Sequence, residues 1–271
     1  MRFAVGIEYD GQPFCGWQTQ VDGPGVQAAV ETALSAVADE PVTVQCAGRT
    51  DAGVHAVCQV AHFDTSRERS PRAWTLGANT HLPRSVSIRW AQAVADDFNA
   101  RFSADARSYT YVLLNRSSRA GLWHGKAAWE HRPLEVARMA EAANFLLGEH
   151  DFSSFRAAGC QANHPVRTVH QLTVTRQDEW IAVHITANAF LQHMVRNIVG
   201  VLLKIGAGER EPGWAAAVLA ARDRRQAAMT APAGGLYFLG PHYPERYQLP
   251  ACADGAFLPW LTGNSLYPSQ R

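Results

Sequence analysis

The 271 residues are 47% hydrophobic and 18% charged, which excludes a disordered or fibrous chain and leaves enough apolar mass for one large domain or two ordinary ones. Lysine plus arginine number 25 and aspartate plus glutamate 24, a formal net charge of +1, so charge alone does not mark a nucleic-acid binder. Five cysteines (Cys15, Cys46, Cys58, Cys160 and Cys252), widely spaced and without a Cys-x-x-Cys pair, argue against a zinc ribbon or a disulfide framework and for buried, inert thiols in a reducing compartment.

The chain opens with a strand at 2–9, closed by the turn signal Asp10-Gly11; two acids arrive before a signal-like apolar run can develop. Residues 25–38 place Val26, Ala29, Val30, Ala33, Leu34 and Val37 on one helical face. Strands are expected at 42–47, where Val42, Val44 and Cys46 alternate, and at 54–63. Ser70-Pro71 opens a short helix to about 79, and a strand at 85–94 carries Val86, Ile88 and Trp90 on one face.

A second run repeats that order. A strand at 106–115 has Tyr109, Tyr111 and Leu113 on one face; Pro133 opens a helix bearing Val136, Met139, Ala140, Ala143 and Leu147, which Gly148 stops. Strands at 168–176 and 180–187 are joined by the polar turn Gln177-Asp178-Glu179, a helix follows at 190–205, and a last strand lies near 235–240. The segment 206–234 adds a helix, Trp214 to Ala221, and a loop. The most apolar stretch, Ile198 to Ile205, is short and carries Lys204, so it cannot span a bilayer, and a cytoplasmic location is the expectation.

Both runs read strand–helix–strand–strand–helix–strand, the split βαβ unit of ferredoxin-like folds. The expectation is an α+β protein of two ferredoxin-like domains with antiparallel sheets packed side by side. Residues 1–100 form the first domain, 101–245 the second and 246–271 a surface tail.

The segment with chemical character lies between the second and third strands: Gly48-Arg49-Thr50-Asp51-Ala52-Gly53-Val54-His55-Ala56. Two glycines bracket a carboxylate and a cation where the backbone must turn tightly or approach a ligand. An ordinary hairpin turn, with Asp51 bonded to its own backbone, is the plain alternative. A phosphate loop is excluded because Val54-His55 stands where Lys and Ser/Thr belong, and Asp51 with His55 lacks a third metal ligand at suitable spacing. No Gly-x-Ser-x-Gly nucleophile elbow is present.

This segment, GRTDAGVHA, resembles the signature of the tRNA pseudouridine synthase A family. Further blocks match in the family's order from residue 9 to about 240: Tyr9-Asp10-Gly11 to Gly16-Trp17-Gln18, Arg107-Ser108-Tyr109-Thr110-Tyr111, Asp151 to Arg156, Asn188 to Gly200, and Ala231 to Tyr237. Phe14 stands where the family favours Tyr, and the tail after Pro250 has no counterpart.

The resemblance implies detachment of uracil from its ribose and reattachment through C5, at positions 38, 39 and 40 of the tRNA anticodon stem-loop. That isomerisation needs no redox cofactor and no metal. It implies Asp51 as the catalytic carboxylate, either a nucleophile or a base towards a sugar proton. It implies Arg196 as the partner that keeps the carboxylate charged. Tyr109 is implied to stack on the target base and help remove its C5 proton. Arg49 is implied to enter the RNA and stabilise a nucleotide whose flipping costs a few kcal/mol. Homodimerisation is implied as well.

Arg101, Arg107, Arg116, Arg119, Lys126 and Arg156 are candidate phosphate contacts from their placement. Two rivals fit less well. A non-catalytic RNA-binding module would carry a Lys/Arg-Gly-Phe-type strand motif, and a glycoside hydrolase would need two carboxylates about the scissile bond.

Overall fold

The computed structural model describes residues 1–20 and 23–250. The described residues form two compact units, one of Met1–Arg107 with residues 237–250, the other of Ser108–Leu236. The division falls after Arg107 rather than near 100, and the last strand joins the first unit, where the sequence placed it in the second domain. The fold is α+β.

In the first unit, β1 (Arg2–Tyr9) lies between β4 (Val86–Val94) and β3 (His55–Asp64), antiparallel to both. Two short strands share the far edge of β3: β2 (Gln45–Cys46) runs antiparallel against Ala61 and His62, and β10 (Leu236–His242) parallel against His55 and Ala56. Helix α1 (Val26–Ala38) buries Val26, Val30, Ala33, Leu34 and Ala38. Phe3, Phe63 and Trp74 form an aromatic cluster, with Trp74 on the short helix whose middle, Ala73–Gly77, widens to π geometry.

A separate cluster of Ala4, Cys58, Val60, Phe98 and Tyr247 is flanked by Tyr243 and Leu249. Tyr247, expected in a surface tail, is therefore core: its ring meets Phe98 edge-on at 5.0 Å. Residues 251–271, the rest of that expected tail, lie outside the described residues.

The strand expected at 42–47 shortens to two residues for a local reason. The N–H of Val42 donates to the Ser35 hydroxyl and that of Val44 to the Glu31 carboxylate, so side chains of α1 satisfy donors that a ladder would otherwise take. Cys58 is fully buried but disulfide-bonded, not the inert thiol expected, and Cys15, Cys46 and Cys160 are half-buried free thiols, less enclosed than expected; Cys252 falls outside the described residues.

In the second unit the sheet order is β5 (Ala106–Asn115), β9 (Trp180–Ala187), β8 (Val166–Gln177) and β7 (Gly148–Asp151), with β6 (Ala128–Glu130) parallel on β5. β8 and β9 form the expected hairpin, turning at Asp178 with φ 53°. Helix α2 (Val136–Asn144) is shorter than its sequence pattern. Helix α3 (Met194–Gly206) starts after His193, which adopts a left-handed conformation, φ 63°, and ends the preceding loop. Helix α4 (Trp214–Ala221) follows where expected.

Candidate active site

The loop between β2 and β3 carries Asp51, and its neighbours in the first unit grip its backbone from several sides. Gln59 donates its side-chain amide to the Gly48 carbonyl at 2.5 Å, and Trp17 donates its backbone N–H to the Thr50 carbonyl at 3.0 Å. The Thr50 and Tyr9 hydroxyls meet at 2.7 Å, both buried. The Asp51 carbonyl accepts the Val54 N–H at 3.1 Å, closing a turn in which Gly53 has φ 76°. Asp51 itself is half-buried and Arg49 exposed.

Gly16 makes the grip possible. Its φ is 101°, and a Cβ there would sit 2.7 Å from the Thr50 carbonyl oxygen and 3.1 Å from the Asp51 carbonyl carbon. Only glycine allows both that backbone conformation and that approach. The blocks Tyr9-Asp10-Gly11 and Gly16-Trp17 thus have a physical role that periodicity does not reveal: they cradle the loop of Asp51.

Beyond the turn, His55 is buried and stacks on Tyr237, with ring centroids 4.7 Å apart. The Gly11 N–H donates to its Nδ1 at 3.1 Å, and the Asp10 carboxylate lies 3.0 Å from the same nitrogen. Burial, with the Asp10 charge adding to it, pushes the Tyr237 phenol up. His55 is thereby a packing residue at the root of the loop. Among the described residues no group of three or more His, Cys, Asp or Glu side chains is placed to hold a metal ion.

In the second unit Tyr109 lies on β5, 8% exposed, with the Phe190 ring edge-on at 5.0 Å. Its neighbours are anchored sideways: Ser108 bonds Thr186 at 2.7 Å, and Thr110 bonds His184 at 3.2 Å. Tyr111 is fully buried and donates its hydroxyl to the Pro232 carbonyl at 2.8 Å. Burial pushes its phenol up, opposed by the charge of Arg196.

Arg196, half-buried in the first turn of α3, donates Nε to the Ala231 carbonyl at 2.8 Å, while its own carbonyl accepts the Ala231 N–H at 3.1 Å. The next residue, Asn197, is fully buried. Its amide donates to the Phe155 carbonyl, and its oxygen accepts from Arg224 and Thr230. The helix start that carries Arg196 is therefore fixed by a satisfied polar network.

The proposed phosphate contacts divide. Arg107 is engaged with the carbonyls of Ala47, Ala104 and Arg101, and Arg156 with those of Cys160 and Ala162, so both hold backbone. Arg116 pairs with Glu179 at 3.2 Å. Arg101 and Arg119 are exposed.

A family model described as tRNA pseudouridine synthase matches residues 6–103 and 142–244. The tRNA pseudouridine synthase A of Shewanella amazonensis is 55% identical over 96% of this chain and all of its own length. Those of Stenotrophomonas maltophilia and Coxiella burnetii are 56% and 52% identical over 93% and 94% of this chain, each over 98% of its own length. A chain of a solved Cbf5-Nop10-Gar1 complex aligns with 87% of this chain and 48% of its own length, at 12% identity and a TM-score of 0.36, a likeness too slight to argue from. The chain belongs to the tRNA pseudouridine synthase family. It is an isomerase. No helix among the described residues is long and apolar enough to cross a membrane.

Proposed function

We propose that this chain converts uridine to pseudouridine in tRNA, at positions 38, 39 and 40 of the anticodon stem-loop, with Asp51 as the catalytic carboxylate. The observation that carries the reading is a half-buried carboxylate on a loop held at Gly48, at Thr50 and by the Asp51–Val54 turn, within the segment shared with the family. A group that must meet one atom of a large, flexible substrate gains rate from being held before the substrate arrives.

The reaction breaks the C1′–N1 bond and forms a C1′–C5 bond. C5 loses its proton, N1 gains one, and no net oxidation occurs. Asp51 acts either by attacking C1′ or by taking a ribose proton. Tyr109 stacks on the target base and assists loss of the C5 proton. Arg196 supplies the positive charge that opposes neutralisation of a partly desolvated carboxylate. Arg49, exposed beside Asp51, enters the RNA and holds the flipped-out nucleotide.

The order of elements in each unit supports a pair of ferredoxin-like, split βαβ folds. The active protein is proposed to be a cytoplasmic homodimer that needs no cofactor.

The test is incubation with unmodified tRNA transcript, followed by mapping of pseudouridine as carbodiimide-dependent primer stops. Wild type should give stops at the three anticodon-arm positions. Asp51→Asn should give none while retaining tRNA binding within a few-fold. Turnover by Asp51→Asn would remove Asp51 from its role, and stops elsewhere would change the proposed sites.

A further inference from the structure

Residues 99–104 form a turn held by more bonds than its exposure demands. The Asn99 side-chain oxygen accepts the N–H of Arg101 at 3.0 Å and of Phe102 at 3.1 Å, and the Asn99 and Ser103 ends close on each other. The Ala100 N–H donates to His62 Nδ1 and its carbonyl accepts the Tyr243 hydroxyl. From the other side the Arg107 guanidinium reaches the carbonyls of Arg101, Ala104 and Ala47. Ala47 immediately precedes Gly48, so one side chain ties this turn to the base of the Asp51 loop.

At the tip of that fixed turn Phe102 is 76% exposed, with the Arg101 guanidinium 5.2 Å from its ring centroid. A single exposed apolar side chain is unremarkable on a loose loop. Here the backbone is immobilised and the ring is left bare, which is an ordering cost that no burial offsets.

Two cations on this side of the unit stand open, although the exposed carboxylate of Asp105 follows Phe102 by three residues. Arg101 and Arg49 are exposed, and neither has a carboxylate within ion-pair distance among the described residues. Burial pushes the Cys46 thiol up to about 12, and the charges of both arginines oppose that rise, as they must when both lie on its side of the unit. A bare ring flanked by unpaired guanidinium groups matches single-stranded nucleic acid, whose bases stack on aromatics and whose phosphates take the charge. A protein partner would have to desolvate both cations or bring carboxylates to them.

We propose that the Arg101–Phe102 turn is a second nucleotide platform beside the Asp51 loop, Phe102 stacking on an unpaired tRNA base other than the target and Arg101 meeting a neighbouring phosphate. The proposal rests on tRNA being the substrate. Phe102 is then a tRNA-binding residue away from the reacting atoms, whose loss weakens binding rather than the saturated chemical step.

The experiment compares Phe102→Ala, Phe102→Leu and Phe102→Trp, each shown by thermal melting to be folded. Filter binding to unmodified tRNA, single-turnover pseudouridine formation at saturating tRNA, and light scattering are measured on all three. Alanine and leucine should weaken binding about tenfold or more, tryptophan should bind within about threefold of wild type, and the saturated rate should change little. Alanine that binds like wild type, or tryptophan that fails like alanine, overturns the platform. So does an alanine variant whose mass falls to half, because the ring would then belong to a contact with a second copy. A wild-type protein that binds tRNA through Phe102 yet forms no pseudouridine would leave the platform standing and defeat the enzymatic reading instead.

Discussion

The hydroxyl of Tyr9 lies 2.7 Å from that of Thr50, the residue before Asp51, and both side chains are buried. Tyr9→Phe removes one partner and strands the other away from water. An unsatisfied buried hydroxyl costs about 1–3 kcal/mol. We expect denaturant unfolding to show a loss in that range, together with a fall in single-turnover rate as the Asp51 loop gains freedom. A variant as stable and as fast as wild type would show that this bond does not hold the loop.

Gly16→Ala probes the same loop from the opposite side. The new methyl group would stand 2.7 Å from the Thr50 carbonyl at a backbone φ of 101°, so the loop must shift or strain of about 1–3 kcal/mol must be borne. A displacement of about 1 Å at a reacting group can lower the rate on the order of 100-fold. Gly121→Ala, where nothing lies within 4 Å of the added carbon, serves as control and should be silent in both stability and rate. Equal behaviour of the two variants would refute the close-approach argument.

Arg196 combines an observed structural role with the proposed role of its charge in catalysis. Its Nε bond to the Ala231 carbonyl is structural, and Arg196→Lys and Arg196→Met both lose that geometry. Their melting temperatures should therefore fall by similar amounts. Rates should separate them: lysine keeps a positive charge and should retain part of the activity, whereas methionine should lose about 100-fold or more by analogy with lost electrostatic contacts at reacting centres. Equal rates for the two variants would mean that charge at this position is not what catalysis uses.

Glu40 offers a pH test outside the site. The Ser66 hydroxyl first, then the Thr65 hydroxyl and the Ser66 N–H, donate to its carboxylate and hold it down at about 2, below its ordinary 4.5. A depressed folded-state value stabilises the protein above the unfolded value, and the contribution disappears as pH falls from 4.5 towards 2. Glu40→Gln should thus be less stable than wild type at neutral pH, with the gap closing in acid. A gap of constant size from pH 7 to about 2 would contradict the assignment.

What the sequence revealed divides along physical lines. β1, β4 and β5 were legible because their apolar residues are continuous or alternate over eight to ten positions. β7 was not, because Gly148-Glu149-His150-Asp151 is polar and short and is a strand only through pairing with β8. Tyr247 could not be placed either: its core role depends on Phe98, a distant residue that leaves no local period. At the candidate site the Asp51 segment was visible through resemblance, but its holders Tyr9, Trp17 and Gln59 converge only in three dimensions. Arg107 shows the converse limit, since charge and position nominate a phosphate contact while the geometry engages it with three carbonyls.

The parallel pairing of β10 with His55 and Ala56, with Tyr237 stacked on His55, gives the molecule a timetable. Synthesis runs from the N-terminus, and the edge of β3 next to the Asp51 loop is exposed on the nascent chain until the residues of β10 have been made. An unpaired strand edge of that kind invites pairing with other chains. We expect nascent chains halted before residue 236 to leave the segment around His55 open to protease, with protection arriving only when the chain has cleared the ribosome to about residue 250. Protection already complete at the earlier stop would show that the first unit closes without its last strand.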